Sequence, residues 1–241
     1  MPLIDDDRAA ELVGGVRAAR SAAHGLVEDQ IARGKSRIKS VSKTRKSAMT
    51  RKRIMTAASE LMAERGGTDF QMSEVSDRCH MSKGSLYYYF SDRDELIAAI
   101  FDESVDDLIG GMEALVAKSP SAREALGLLY AEFSRRLRAG SPLALAMTYE
   151  LAGSSERSLP EVTSRFSRAA TVIAAQLERA KSEGLVRPEV DSTTAAVFAT
   201  GGMITMSMAM ATGQTSADAD TVSAQIMDMI LRGVGCEGAA L

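Results

Sequence analysis

Tryptophan is absent from this chain of 241 residues, and cysteine and histidine occur only twice each. Cys79 and Cys236 stand far apart, with no CxxC or Cys/His cluster around either. That excludes a disulfide framework and the usual zinc spacings, and it suits a reducing compartment. No G-x-S-x-G, P-loop or metal-ligand spacing occurs, and neither His24 nor His80 has a partner motif. The chain therefore reads as a non-enzyme with no cofactor and no metal. Paired carboxylates such as Asp106 and Asp107 are most simply solvated on a helix surface. The opening "MPLIDDDRAAEL" is acidic and has no apolar h-region, so a secretory signal is not expected and a cytoplasmic location is. The longest uncharged stretch, 192–217, contains "AAVFATGGMITMSMAMATG". Its Ala and Met are broken by Thr, Ser and Gly, short of the roughly 20 strongly apolar residues a bilayer span needs. It reads as a helix buried in protein on all sides, with no membrane partner.

The net charge of −3 conceals an asymmetry. Between Arg33 and Arg53, "RGKSRIKSVSKTRKSAMTRKR" carries ten Lys and Arg and no acid. A run of this kind is either a solvated basic linker or an arm that gains affinity by displacing counterions from a polyanion. The residues after Arg53 decide between the two.

Period-two runs of Val, Ile and Thr are lacking, while apolar residues recur at three and four, so the fold class is all-α. Residues 6–32 are Ala-rich and expected to be helical. From about Thr50, the residues Ile54, Ala57, Ala58, Leu61 and Met62 make one apolar face, which "RGG" at 65–67 ends. A short helix comes next, from Ser73 to near Cys79, then a tight connection at His80 and Met81, then a second short helix capped by Ser82 and running to Tyr88. Two short helices joined by a tight turn form a helix-turn-helix, whose second helix offers its N-terminal side chains to a DNA major groove. Ser91 or Asp92 caps a long helix with Leu96, Ile97, Ile100, Phe101, Val105, Leu108, Met112 and Leu115 on one side. Further helices are expected at 122–138, 142–151, 160–183, 192–212 and 217–232, giving a second helical domain.

Three of the five tyrosines stand together in "MSKGSLYYYF", residues 81–90. Leu86, Tyr87 and Phe90 are spaced to face inward onto Val75, Ile54 and Leu96, leaving Tyr88 and Tyr89 outward, where a phenolic hydroxyl can donate to a phosphate. The bland alternative, all four aromatics in the core, conflicts with the limited buried side of one short helix.

The run from Arg51 to Phe101, with "RIMTAASELMAERG" and "MSEVSDRCHMSKGSLYYYFSDRDEL", resembles the DNA-binding domain of TetR-family (tetracycline-repressor-like) transcriptional regulators. "SEGLVRPEVDSTTAAVFATGG" resembles, more weakly, the place where that family's dimerisation helices begin. The resemblance implies an N-terminal three-helix DNA-binding domain and a C-terminal helical ligand-binding and dimerisation domain. It also implies a homodimer, most simply a repressor, over a palindrome in double-stranded DNA, released by a small hydrophobic effector. The expected boundaries are an extension with a basic arm over 1–45, the helix-turn-helix domain over 46–92 and the effector and dimerisation domain over 93–241. DNA contacts fall to Ser73, Lys83, Gly84, Ser85, Tyr88, Tyr89 and Arg93, with Arg45, Lys46 and Arg51 from the arm. Two departures stand out: His80 where the turn usually has Gly, and Arg93 where Lys is usual. Arg keeps a phosphate contact and adds a bidentate option. A left-handed turn costs a non-Gly residue roughly 1 kcal/mol, and His is among the types that tolerate it.

In the second domain, Met112, Phe133, Met147, Tyr149, Phe166 and Met203 are candidate lining residues of an effector pocket; the plainer reading of the methionines is adaptable core filler. Phe198, Gly202, Met206, Ile226 and Ile230 are candidate dimer-seam residues, the plainer reading being an intramolecular core. Control by a protein partner, without a small ligand, would leave this domain tightly filled rather than holding a cavity of roughly a few hundred Å³.

Overall fold

The computed structural model describes residues 45–152, 159–211, 213–214, 221, 225, 228–229 and 232–235, with side chains of the second block from 164 to 210. The helix expected at 6–32, the greater part of the basic run and most of the last helix, with Ile226, Ile230 and Cys236, lie outside them. The described residues fall into two units that meet in sequence at Lys52 and Arg53. Helix covers 45–65 (α1), and its residues 45–52 belong to the first unit, where Arg45, Lys46 and Met49 are exposed.

In the second unit the order is α2 (Met72–Arg78), α3 (Lys83–Tyr87), α4 (Arg93–Lys118), α5 (Ala122–Leu137), α6 (Pro142–Leu151), α7 (Leu159–Ser182) and α8 (Ser192–Ala211). No strand occurs among the described residues; Val186 and Gly235 form an isolated bridge. Helices begin where side chains can satisfy their free N–H groups. The Asp92 carboxylate accepts the Glu95 N–H at 2.8 Å, and Ser121 and Ser141 accept at 3.2 Å from Glu124 and Ala144. Pro142 occupies the first turn of α6, where its missing N–H costs nothing. Gly66, Gly140 and Gly184 take positive φ after α1, α5 and α7, as helix stops require.

The apolar face of α1 is buried as expected, with Ile54, Ala58 and Met62 fully covered. It shares one core with Val75, Leu86, Phe90, Leu96 and Phe101, and that core continues through Met112, Phe133, Met147 and Phe166. A second cluster joins Ala122, Leu126, Leu177, Ala180 and Ala196 at the far end of α5, α7 and α8.

Within the single chain α8 is covered on one face only. Ala196, Ala199, Thr200, Met203 and Ser207 are buried, whereas Val197, Phe198, Gly201 and Gly202 are exposed. The reason is position: α8 packs on α5, α6 and α7 with one face only. By length and composition the segment Ser192–Met210 could cross a membrane. Its buried Thr200 and Ser207, set against other helices of the same domain, are features of a helix packed in protein.

Candidate nucleic-acid interface and effector domain

Helices of seven and five residues are too short to hold themselves, and α2 and α3 are held from outside. The Arg78 guanidinium meets the Glu64 carboxylate with two bonds of 2.8 Å, and Arg65 bonds Glu74. Glu74 in turn accepts the Gln71 N–H at 2.7 Å, closing the first turn of α2. Arg78 holds the Glu64 carboxyl below its usual range, and Arg65 does the same for Glu74. These four residues come from two helices, and no spacing in the sequence pairs them.

The turn between α2 and α3 passes through His80 at φ +50°, the one non-Gly residue with positive φ among those described. Its N–H donates to the Asp77 carbonyl at 3.0 Å and the Met81 N–H donates to the Ser76 carbonyl at 3.0 Å, so the left-handed step closes the turn. Cys79 is buried beneath it, its thiol directed to the Arg53 carbonyl at 3.7 Å, and burial pushes that thiol up. Ser82 then caps α3, accepting the Ser85 N–H at 3.2 Å.

On α3, Lys83, Gly84 and Ser85 are exposed and Leu86 is fully buried. The tyrosines differ from expectation. Tyr87, expected inward, is 51% exposed; Tyr89, expected outward, is half-buried against the core. The helix ends at Tyr87, and the N–H groups of Tyr89 and Phe90 both go to the Leu86 carbonyl, at 2.9 and 3.1 Å. Tyr89 and Phe90 follow Leu86 at three and four residues and so share its buried face, while Tyr87, one residue on from Leu86, turns out. Tyr88 is 80% exposed and stands edge-on to Tyr89, with ring centroids 5.2 Å apart. The exposed face is therefore Lys83, Gly84, Ser85, Tyr87 and Tyr88.

Ser73 is half-buried in the first turn of α2, its carbonyl accepting from the Ser76 hydroxyl at 2.8 Å. Arg93, in the first turn of α4, lies 3.7 Å from Asp69, 3.9 Å from Asp94 and 5.9 Å from the centre of the Tyr149 ring. Arg45 and Lys46 are exposed and Arg51 is half-buried.

Residues 54–100 match the family model described as bacterial regulatory proteins, tetR family. Over these residues the chain carries the tetR-family pattern. The Fatty acid metabolism regulator protein of Bacillus subtilis (strain 168) is 28% identical over 98 residues, 41% of this chain and 50% of that protein. The HTH-type transcriptional activator FasR of Mycolicibacterium smegmatis (strain ATCC 700084 / mc(2)155) is 34% identical over 76 residues, 32% of this chain and 35% of that one. The chain thus spans half or less of the length of these curated relatives. The fold resembles that of the fatty acid degradation regulator FadR from Bacillus halodurans, with a TM-score of 0.61, 18% identity and coverage of 76% of this chain and 98% of the other. The matched family and these relatives are transcriptional regulators, not enzymes.

Beyond the matched residues, the six residues expected to line a pocket gather in or against one cluster. Met112, Phe133, Met147, Phe166 and Met203 are buried and Tyr149 is packed against them. Phe166 touches Phe101 and Phe133 edgewise or tilted, at 5.9 and 6.5 Å between ring centroids. Tyr149 turns its hydroxyl to Asp94, donating at 2.6 Å; burial and then this carboxylate push the phenol up. A separate cleft of about 310 Å³ is lined by Ser104, Arg135, Arg136, Arg138 and the start of α6. Of the seam residues, Phe198 is 75% exposed, Gly202 is exposed and Met206 is half-buried. Among the described residues no group of three or more His, Cys, Asp or Glu is placed to hold a metal ion.

Proposed function

We propose that this tetR-family regulator acts in the cytoplasm as a homodimeric repressor of a palindromic operator and is released by a small hydrophobic effector. The single observation that carries the DNA-binding part is α3: Leu86 is buried, while Lys83, Gly84, Ser85 and Tyr88 face outward from a capped helix N-terminus. In this reading the start of α3 enters the major groove and Ser73, Tyr89 and Arg93 contact the adjacent backbone. Arg45, Lys46 and Arg51 in the basic run add phosphate neutralisation. Residues 1–45 are assigned as the arm-bearing extension, 46–92 as the DNA-binding domain and 93–241 as the effector and dimerisation domain.

Dimerisation is assigned to the outer side of α8. An exposed uncharged face with Phe198 at its middle and Gly201 and Gly202 beside it allows close approach of a second copy of the same helix. Two copies place two recognition helices one DNA turn apart, and binding both half-sites together multiplies a weak single contact. The effector site is assigned to the second domain, where Phe133, Phe166 and Met203 gather in the apolar core. Effector binding that shifts α4 moves the heads out of register with the half-sites, which needs a coupling on the order of 1–3 kcal/mol.

The test is selection of genomic fragments with the purified chain, followed by a gel-shift salt titration on the winning fragment. A palindrome bound by dimers, with affinity falling steeply as salt rises, is the expected result. Failure to enrich any sequence would overturn the operator reading.

A further inference from the structure

Three buried polar atoms on three helices of the second domain lack a hydrogen-bond partner: the Tyr130 hydroxyl on α5, the Gln176 side-chain carbonyl on α7 and the Thr200 hydroxyl on α8. Gln176 and Thr200 are 7% and 4% exposed, and Tyr130 is half-buried with its hydroxyl inside. A buried polar group with no partner has lost its hydration and received nothing in return, so three within one small domain require a physical reason.

Helix register brings them together. The Ser207 hydroxyl donates to the Leu137 carbonyl at 2.6 Å. Tyr130 stands seven residues before Leu137 and Thr200 seven before Ser207, about 10 Å back along each helix. α5 and α8 run the same way, because Ala122 and Ala196 share one apolar cluster while Leu137 and Met203 share the other. Tyr130 and Thr200 therefore stand at one height. α7 runs oppositely: Phe166 meets Phe133, and Leu177 and Ala180 pack with Ala122 and Leu126. Gln176, next to Leu177, thus stands about one and a half turns nearer the Ala122 end than Tyr130, and its Cα–Cβ bond tilts back toward the Tyr130 level, the direction of the α7 N-terminus. That level lies between the two apolar clusters, where Ile173 packs against both.

We propose that Tyr130, Gln176 and Thr200 form the polar anchor of the effector site and take a neutral head group that both donates and accepts hydrogen bonds, such as a carboxamide or an alcohol. The inference rests on the small-effector reading above and refines it. The Gln176 carbonyl accepts, while the hydroxyls of Tyr130 and Thr200 can do either, so the set complements a group with one donor and one acceptor. An ion brought to this level would face only neutral dipoles from these three side chains, which disfavours a charged head. The apolar part of the effector then lies toward Phe133, Phe166 and Met203.

The test uses the full chain, matched eight-carbon probes (octanamide, methyl octanoate and octanoate) and the variants Y130F, Q176M and T200V. Calorimetry on the unsubstituted chain is expected to find octanamide bound about ten-fold more tightly than methyl octanoate, the worth of one good buried hydrogen bond. Each variant should lose that preference while keeping the affinity for methyl octanoate. Without any probe, each variant should melt at the same temperature as the parent chain or higher, since an orphan polar atom has been replaced by an apolar one. Binding of the ester and the amide with no preference, or tightest binding of octanoate, would overturn the polar anchor and leave the effector reading standing. Melting lowered in all three variants would overturn it too, because the atoms would then have partners. Binding of none of the three probes by a chain that still binds its operator would overturn the small-effector reading, and the anchor with it.

Discussion

The helix-turn-helix head and the long-helix domain behind it bury their apolar residues by different means. In the head, α2 and α3 are helices of only seven and five residues, and their geometry is imposed by a cap at Ser82, the left-handed step at His80 and the ion pairs Arg65–Glu74 and Arg78–Glu64. In the domain behind it, helices of 16 to 26 residues such as α4, α5 and α8 make repeated apolar stripes that lock together along their length. The two solutions leave room for function in different places. A head whose core runs on into the long helices can still give the exposed side of α3 to recognition. A domain of long stripes can carry a polar level between two apolar layers.

The division into inside and outside is tested most severely within the head. Phe90→Ala removes a fully buried ring and is expected to cost about 3–5 kcal/mol of stability. Tyr87→Ala, close by in sequence but on an exposed side chain, should change stability by no more than about 0.5 kcal/mol. Denaturant unfolding measures both; equal costs would remove the inside and outside assigned to α3. On the second domain, Phe198→Asp places a charge in the exposed face of α8; sedimentation is expected to find the parent chain dimeric and the variant monomeric. A variant that remains dimeric would move the seam elsewhere.

Recognition gives the next largest effect. Lys83→Ala should weaken operator binding about evenly across sequences and reduce the salt slope by about one unit. Lys118→Ala, at the far end of α4, should leave both unchanged. A comparable loss at Lys118 would contradict the placement of the reading face.

Acid should act on both regions through carboxylates held low. The Asp92 carboxyl is lowered chiefly by the Glu95 N–H it accepts; burial pushes Glu132 up, but Arg135 and Arg136 outweigh it and hold it below its usual range. A carboxyl with a lower pKa folded than unfolded adds stability above its unfolded value near 4, and that stability is lost as pH falls through the folded value. The melting temperature should therefore hold between about pH 7 and 5 and fall below about pH 4. A melting temperature that rose on acidification would rule this out. A small gain is expected from His80→Gly, which relieves a left-handed step and should stabilise the head by at most about 1 kcal/mol in denaturant unfolding.

Much of the head was legible because its signals are local. Ser82 and Asp92 announce helix starts through their own side chains, and Gly66 announces a stop. The exchange of Tyr87 and Tyr89 follows the three-and-four spacing from Leu86, and the packing of Leu86 and Phe90 in the core settles that this face is the inner one. Arg93 likewise takes its neighbours from Asp69, before α2, and Tyr149, on α6. Neither is at a helical spacing from it. In the second domain the apolar stripes were readable, and Met112, Phe133 and Phe166 do share a core. The covered and uncovered sides of α8 were not, since that helix is apolar all round and its sequence carries no mark of which side has neighbours.

The all-α class, the positions of caps and stops, the basic run before Arg53 and the motif over 54–100 that resembles the tetR family are all written in residues close together along the chain. They could be read before any fold was known, because a cap, a stop or an apolar period needs only its own few neighbours. Which tyrosines face outward, which face of α8 is left bare and the common level of Tyr130 and Thr200 came only from the packed molecule. Burial is a property of neighbours, and those neighbours come from helices dozens of residues away.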